Sequence, residues 1–154
     1  MHGVDARRLM FPGMARLYAA AEPWGDLWLR LVAGAIMIPH SVPKLFGTFA
    51  PVLAKNVLGP LGFPAPLAVA YGLGCLELGG GVLLMLGLLT RPLALAFAVE
   101  TAVIAVAVAW PKGWFYSAPG GGAEFPFLLL AVYVAILLRG PGRYSIDRMA
   151  SREV

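Results

Sequence analysis

The chain has 154 residues, enough for one domain. Sixty per cent of them are hydrophobic, only 13% are charged, and the mean hydropathy is +0.79. A soluble domain carries about 25% charged residues, and a disordered one needs low hydrophobicity, so both classes are excluded and a membrane protein is indicated.

The net charge of +4 does not read as a nucleic-acid footprint, because the basic residues lie mostly at the chain ends and in one short loop. In chain order, Leu9, Met10, Phe11, Met14, Leu17 and Tyr18 alternate with Arg7, Arg8 and Arg16. Pro12 and Gly13 break this stretch, so it is no secretory signal; it suits a short interfacial helix or a frayed tail. Four apolar stretches follow, at about 27–46, 66–89, 92–110 and 122–138. About 20 helical residues cross a hydrocarbon core of about 30 Å. The expected fold is therefore all-α, a four-transmembrane-helix antiparallel bundle forming a single domain over residues 1–154.

Leu89-Thr90-Arg91-Pro92 reads as a tight turn, which makes the second and third stretches a hairpin. Residues 47–65, with Gly59-Pro60 and Pro64-Ala65-Pro66 at their end, read as a longer connection. Residues 111–123 form a Gly/Pro-rich loop holding Trp114, Phe115 and Tyr116, and Gly140-Pro141-Gly142 stops the last helix. Arg7, Arg8, Arg16, Arg91, Arg139, Arg143, Arg148 and Arg152 fall on one side. Lys55 and Lys112 fall on the other, with Lys44 near them. The positive-inside rule then puts both termini in the cytoplasm.

The residues that carry chemistry also carry a resemblance. Arg30-x-x-x-Gly34 followed by Pro39-His40-Ser41-x-x-Lys44-Leu45-Phe46-Gly47 resembles the first helix of the DoxX family. Leu76-Glu77-Leu78-Gly79-Gly80-Gly81 with Gly87-Leu88-Leu89-Thr90-Arg91 is similar to its second segment, and Gly140-Pro141-Gly142-Arg143-Tyr144-Ser145-Ile146-Asp147 to its C-terminal signature. The resemblance implies a four-helix protein of the bacterial inner membrane, multi-pass with N-in/C-in topology. Some relatives are subunits of a thiosulfate:quinone oxidoreductase, and others belong to redox-linked membrane complexes. One departure is Trp110-Pro111-Lys112-Gly113, where relatives often carry a His before the Pro.

Ionisable groups inside a membrane are costly and turn inward toward partners. Depth at 1.5 Å per residue places Arg30 within reach of Glu100 and, further on, Glu77, an expected inner cluster. Arg30–Glu100 alone could be a buried pair that fixes helix register. Two carboxylates against one Arg instead favour a protonated acid, which is a proton carrier. His40 and Lys44, four apart on one face, form an expected outer cluster with Glu124, which could also pair with Lys112. Pro39 and Pro43 free the carbonyls of Ala35 and Pro39, and irregular backbone at that depth must be covered by protein or line a wet cavity.

His40, Lys44, Glu77 and Glu100 are thus the candidate reactive residues. A quinone is the candidate cofactor, anchored by His40 and Lys44 and walled by Trp110, Trp114 and Phe115. The alternative for His40 is a structural histidine bonded to a carbonyl or carboxylate. Gly74, Gly80, Gly81 and Gly87 read as helix packing. Cys75 is the sole cysteine, which excludes an intramolecular disulfide, a Cys-x-x-Cys pair and a Cys-based zinc site. With His40 the only histidine outside the terminus, no metal or haem is expected. A homodimer could bring two His40 together, though nothing in the sequence argues for one. Two functions stay open. One is a membrane subunit of a quinone-linked redox complex that needs a protein partner for any sulfur or thiol chemistry. The other is a small-solute or proton transporter, or a non-enzymatic scaffold.

Overall fold

The computed structural model describes residues 9–117 and 119–150. Among them there are six helices and no strand. A 3-10 turn, Pro12–Met14, leads into α1 (Ala15–Leu45). Then come α2 (Phe49–Leu58), α3 (Pro66–Leu86), α4 (Thr90–Lys112), α5 (Glu124–Arg139) and the short α6 (Ile146–Met149). Helices α3 and α4 are long and apolar enough to cross a membrane. The other two expected stretches fall in α1 and α5.

Helix α1 starts twelve residues before the expected boundary, so among the described residues only the 3-10 turn stands in front of it. Arg7, Arg8 and Arg152 lie outside the described residues. The other addition is α2, which the Gly/Pro content of residues 47–65 hid. Its Ala50, Ala54 and Leu58 bury against Ala70 of α3, so small side chains let a short helix lie close on a long one.

Helix α1 lies along α3, and α4 lies along α5. The buried residues of α1 are Arg30, Ala33, Gly34, Met37, Ser41 and Lys44, a three-to-four spacing that marks one inward stripe. The shared core joins Ala33, Met37, Leu84, Phe97, Leu129 and Tyr133. Phe97 stacks on Tyr133 with ring centroids 5.1 Å apart.

The expected glycine face of α3 is its contact with α1. A Cβ on Gly34 would lie 2.5 Å from the Gly81 carbonyl oxygen and 2.6 Å from Met85 Cγ, so backbone meets backbone here. Gly34→Ala must push the helices apart and is expected to lower stability by about 1–3 kcal/mol in thermal unfolding of the detergent-solubilised protein.

The C-terminal segment closes one end of the bundle. Gly87 has φ +69°, a left-handed residue that ends α3, and its carbonyl accepts the Asp147 amide at 2.9 Å. The Asp147 carboxylate accepts the amides of Leu89 and Thr90, both at 2.9 Å, and so caps α4. Nearby, Arg139 pairs with Asp26 at 2.6 Å. That hydrogen bond, and then the Asp26 charge itself, push the Arg139 guanidinium further up from its ordinary value.

Candidate functional site

The four long helices each send one titratable side chain to the same place. Lys44 comes from the last turn of α1, Glu77 from the middle of α3, Glu100 from the middle of α4 and Tyr133 from α5. Lys44 Nζ donates to Glu77 Oε1 at 2.6 Å, to Oε2 at 2.7 Å and to the His40 carbonyl at 3.1 Å, which uses all three ammonium protons. Lys44, Glu77 and Glu100 are 7%, 2% and 7% exposed.

The Glu100 carboxyl is buried beside this pair, near enough to feel the charges of Glu77 and Lys44. Its buried Oε2 has no donor among the described residues. Tyr133 is close enough to feel both carboxylates, while its hydroxyl donates to the Ala33 carbonyl at 2.9 Å. The backbone around this centre is irregular. Helix α3 widens into a π turn over Leu76–Gly80, the turn that carries Glu77, and α1 passes through Pro39 and Pro43 just before Lys44. Such departures from the α-helix gather at functional sites.

This pairing differs from the two expected clusters. Arg30 does not pair with Glu77 or Glu100. Its guanidinium donates to the carbonyls of Leu84 and Met85, both at 3.4 Å, and to that of Tyr144. The reason is register. Arg30 lies level with the last turn of α3, so the shared part of the two helices begins there rather than at Leu27. The cation meets helix-end carbonyls, which carry partial negative charge. Fourteen residues on, Lys44 is about 21 Å deeper, and Glu77 is about 15 Å above Gly87 by the same rise. The lysine stem spans the difference.

His40 is exposed at the edge of the α1 stripe and belongs to neither cluster. Glu124 does not reach Lys44 or Lys112; it accepts the Tyr116 amide at 2.6 Å, and Lys112 donates to the Gly120 carbonyl at 3.1 Å.

The residues expected to hold a quinone do not form one slot. Lys44 is consumed by Glu77, and His40 is turned out. Trp110 and Trp114 pack edge to face at 6.1 Å and both sit on Phe127, while Phe115 is 68% exposed. A groove of about 420 Å³ does open between α1 and α5, lined by residues such as Trp28, Val32, Ile36 and Leu128. It contains none of those five. Among the described residues no group of His, Cys, Asp and Glu is placed to hold a metal.

The Arg30 stripe, the Lys44–Glu77 pair and the capped turn after α3 all fall within or beside the segment that matches a known family, since the family model DoxX covers residues 25–110. The chain belongs to the DoxX family. It is similar to the protein named "Putative oxidoreductase CatD" of Bacillus subtilis, with 32% identity over 80% of this chain and 84% of that one. It is similar to "Uncharacterized membrane protein Rv3486" of Mycobacterium tuberculosis, at 28% identity over 92% of this chain and 90% of that one. It is also similar to "Inner membrane protein YphA" of Escherichia coli, at 29% identity over 85% of this chain and 94% of that one. No solved structure matches. This DoxX protein is a membrane protein, as those names and its own composition agree.

Proposed function

We propose that this DoxX protein crosses the bacterial inner membrane four times, through α1, α3, α4 and α5, with both termini cytoplasmic. In this reading it is the membrane-embedded subunit of an oxidoreductase system, and the Lys44–Glu77–Glu100 centre is its working part. The buried centre is the observation that carries the reading. A helix bundle held only for anchoring has no need to keep three ionisable groups away from water, at a cost of several kcal/mol each. The orientation is supported by Arg16, Arg91, Arg139, Arg143 and Arg148 at the Arg30 end against Lys55 and Lys112 at the other. The redox assignment is supported by the printed name of CatD. With the lone thiol Cys75 exposed on α3, electrons must come from a protein partner, and this subunit handles charge in the bilayer.

The test is complementation of a deletion strain, read as substrate-driven quinone reduction by isolated membranes. The variant Glu100→Gln, which leaves the Lys44–Glu77 pair intact, is expected to remain in the membrane at normal level and to lose the activity. His40→Ala is expected to keep both. Full activity in Glu100→Gln overturns the reading. The groove between α1 and α5 is almost wholly apolar, which suits an acyl or isoprenoid chain and offers a quinone headgroup no anchor. The π turn on α3 and the prolines of α1 favour one second reading, proton-coupled movement of a small solute, since broken helices at mid-depth mark transport sites. Solute-dependent proton uptake by reconstituted vesicles separates the two.

A further inference from the structure

The three charged groups do not balance. Lys44 supplies one positive charge, and Glu77 and Glu100 would supply two negative ones. A net charge buried in hydrocarbon is far costlier than a neutral cluster. The hydrogen bonds say which group gives way. Both oxygens of Glu77 face the Lys44 ammonium, as a carboxylate's do in an ion pair. Glu100 is 7% exposed, and its buried Oε2 has no donor among the described residues. An ionised Glu100 would be a second buried carboxylate with no cation left to pair with it, whereas a protonated Glu100 adds no charge and has an O–H to donate. The other groups facing the pair leave the sum unchanged: Tyr133 of α5 donates its hydroxyl to the Ala33 carbonyl, and Thr101 of α4 donates its own to the Phe97 carbonyl at 2.7 Å.

We propose that the centre is a binding site for one exchangeable proton, carried by Glu100 and donated to Glu77, while Lys44 and Glu77 remain an ion pair. Binding is the addition of H⁺ from water to the Glu100 carboxylate, and release is its reverse. The proton count follows from neutrality: it equals the number of carboxylates minus the number of lysines. This rests on reading the cluster as the functional centre. It needs no redox partner, so it can stand or fall apart from the oxidoreductase assignment.

The experiment is difference infrared spectroscopy of the purified full-length protein in lipid nanodiscs at neutral pH, in H₂O and D₂O. The wild type is expected to show the carbonyl stretch of one buried carboxylic acid, shifted by deuterium exchange. Glu100→Gln loses it. Glu77→Gln loses it as well, because Glu100 then gives up its proton to become the counter-ion of Lys44. Lys44→Met doubles it. Tyr133→Phe keeps it. Glu100→Gln, which is isosteric with the neutral acid and keeps a donor where the proton stood, should also melt close to the wild type. A wild type without the band, a band that survives Glu100→Gln, or a Lys44→Met spectrum identical to wild type overturns the proposal. So does a clear rise in melting temperature on Glu100→Gln, which would mean that an ionised Glu100 had been removed. Stabilisation by sodium chloride over equal choline chloride would assign the pair to a metal cation and also overturn it.

Discussion

Lys44→Met is expected to destabilise the protein by about 3–4 kcal/mol at neutral pH, the largest single-site loss in the membrane core. The side-chain volume is nearly kept, so the loss is electrostatic. Glu77, 2% exposed, would be left without the cation that pairs with it, and Arg30 cannot replace Lys44 because it is held by the carbonyls of Leu84, Met85 and Tyr144. To stay buried, Glu77 must take up a proton that the unfolded chain releases. At about 1.36 kcal/mol per pH unit over the roughly 2.7 units between an ordinary glutamate and pH 7, that costs about 3.7 kcal/mol. The sign is fixed by linkage. The folded variant binds the extra proton, so its stability is retained at acid pH and falls as pH rises. Thermal unfolding across pH measures this. A variant whose loss is the same at acid and neutral pH would show that packing, not charge, was removed. The pair Lys44→Met/Glu77→Leu should recover much of the stability while remaining inactive, because replacing both partners of a buried pair by apolar groups is often near neutral.

Gly87→Ala is expected to undo the other end of the molecule. At φ +69° an added methyl costs about 1–2 kcal/mol in backbone strain alone. It would also collide with the Arg30 guanidinium and the Ser145 side chain. Arg30 must then leave the helix-end carbonyls, and the segment that holds Asp147 over the start of α4 loses its seat. A total loss of about 3 kcal/mol follows from the strain plus broken charge-assisted hydrogen bonds. Limited proteolysis reads the local effect, with residues 140–150 cut much faster than in the wild type. Arg30→Ala should give the same cleavage without the backbone strain. If both variants resist the protease like the wild type, the clamp described here does not hold the C-terminal segment.

The candidate residues were mostly legible, but their partners were not. Lys44, Glu77 and Glu100 stand out as charges in apolar runs, and the stripe of α1 follows from helical periodicity. Their pairing depends on depth, and the start of hydrophobicity in the sequence does not mark where two helices begin to overlap. Helix α1 starts at Ala15, and its shared length with α3 starts at Arg30, a register fixed by the Gly34–Gly81 contact. A few residues of offset move a group by one helical turn, about 5.4 Å, which is enough to exchange Arg30 for Lys44 as the partner of Glu77. His40 shows the same limit in angle. It is four residues from Lys44, yet it falls at the edge of the stripe and faces out. Helix α2 was hidden because Gly and Pro at its flanks masked an alanine-lined face.

Composition and order along the chain alone determined that this is an all-helical membrane protein of the DoxX family, because apolar run length and charge scarcity are properties of sequence and answer directly to the bilayer. Only the tertiary structure decided that Lys44 pairs with Glu77 beside the buried Glu100, that Arg30 instead closes the end of α3, and that Asp147 caps α4. Those outcomes depend on how far one helix slides and turns against another. That is set by close backbone contact and by the need to pair every buried charge, which act between residues far apart in the chain.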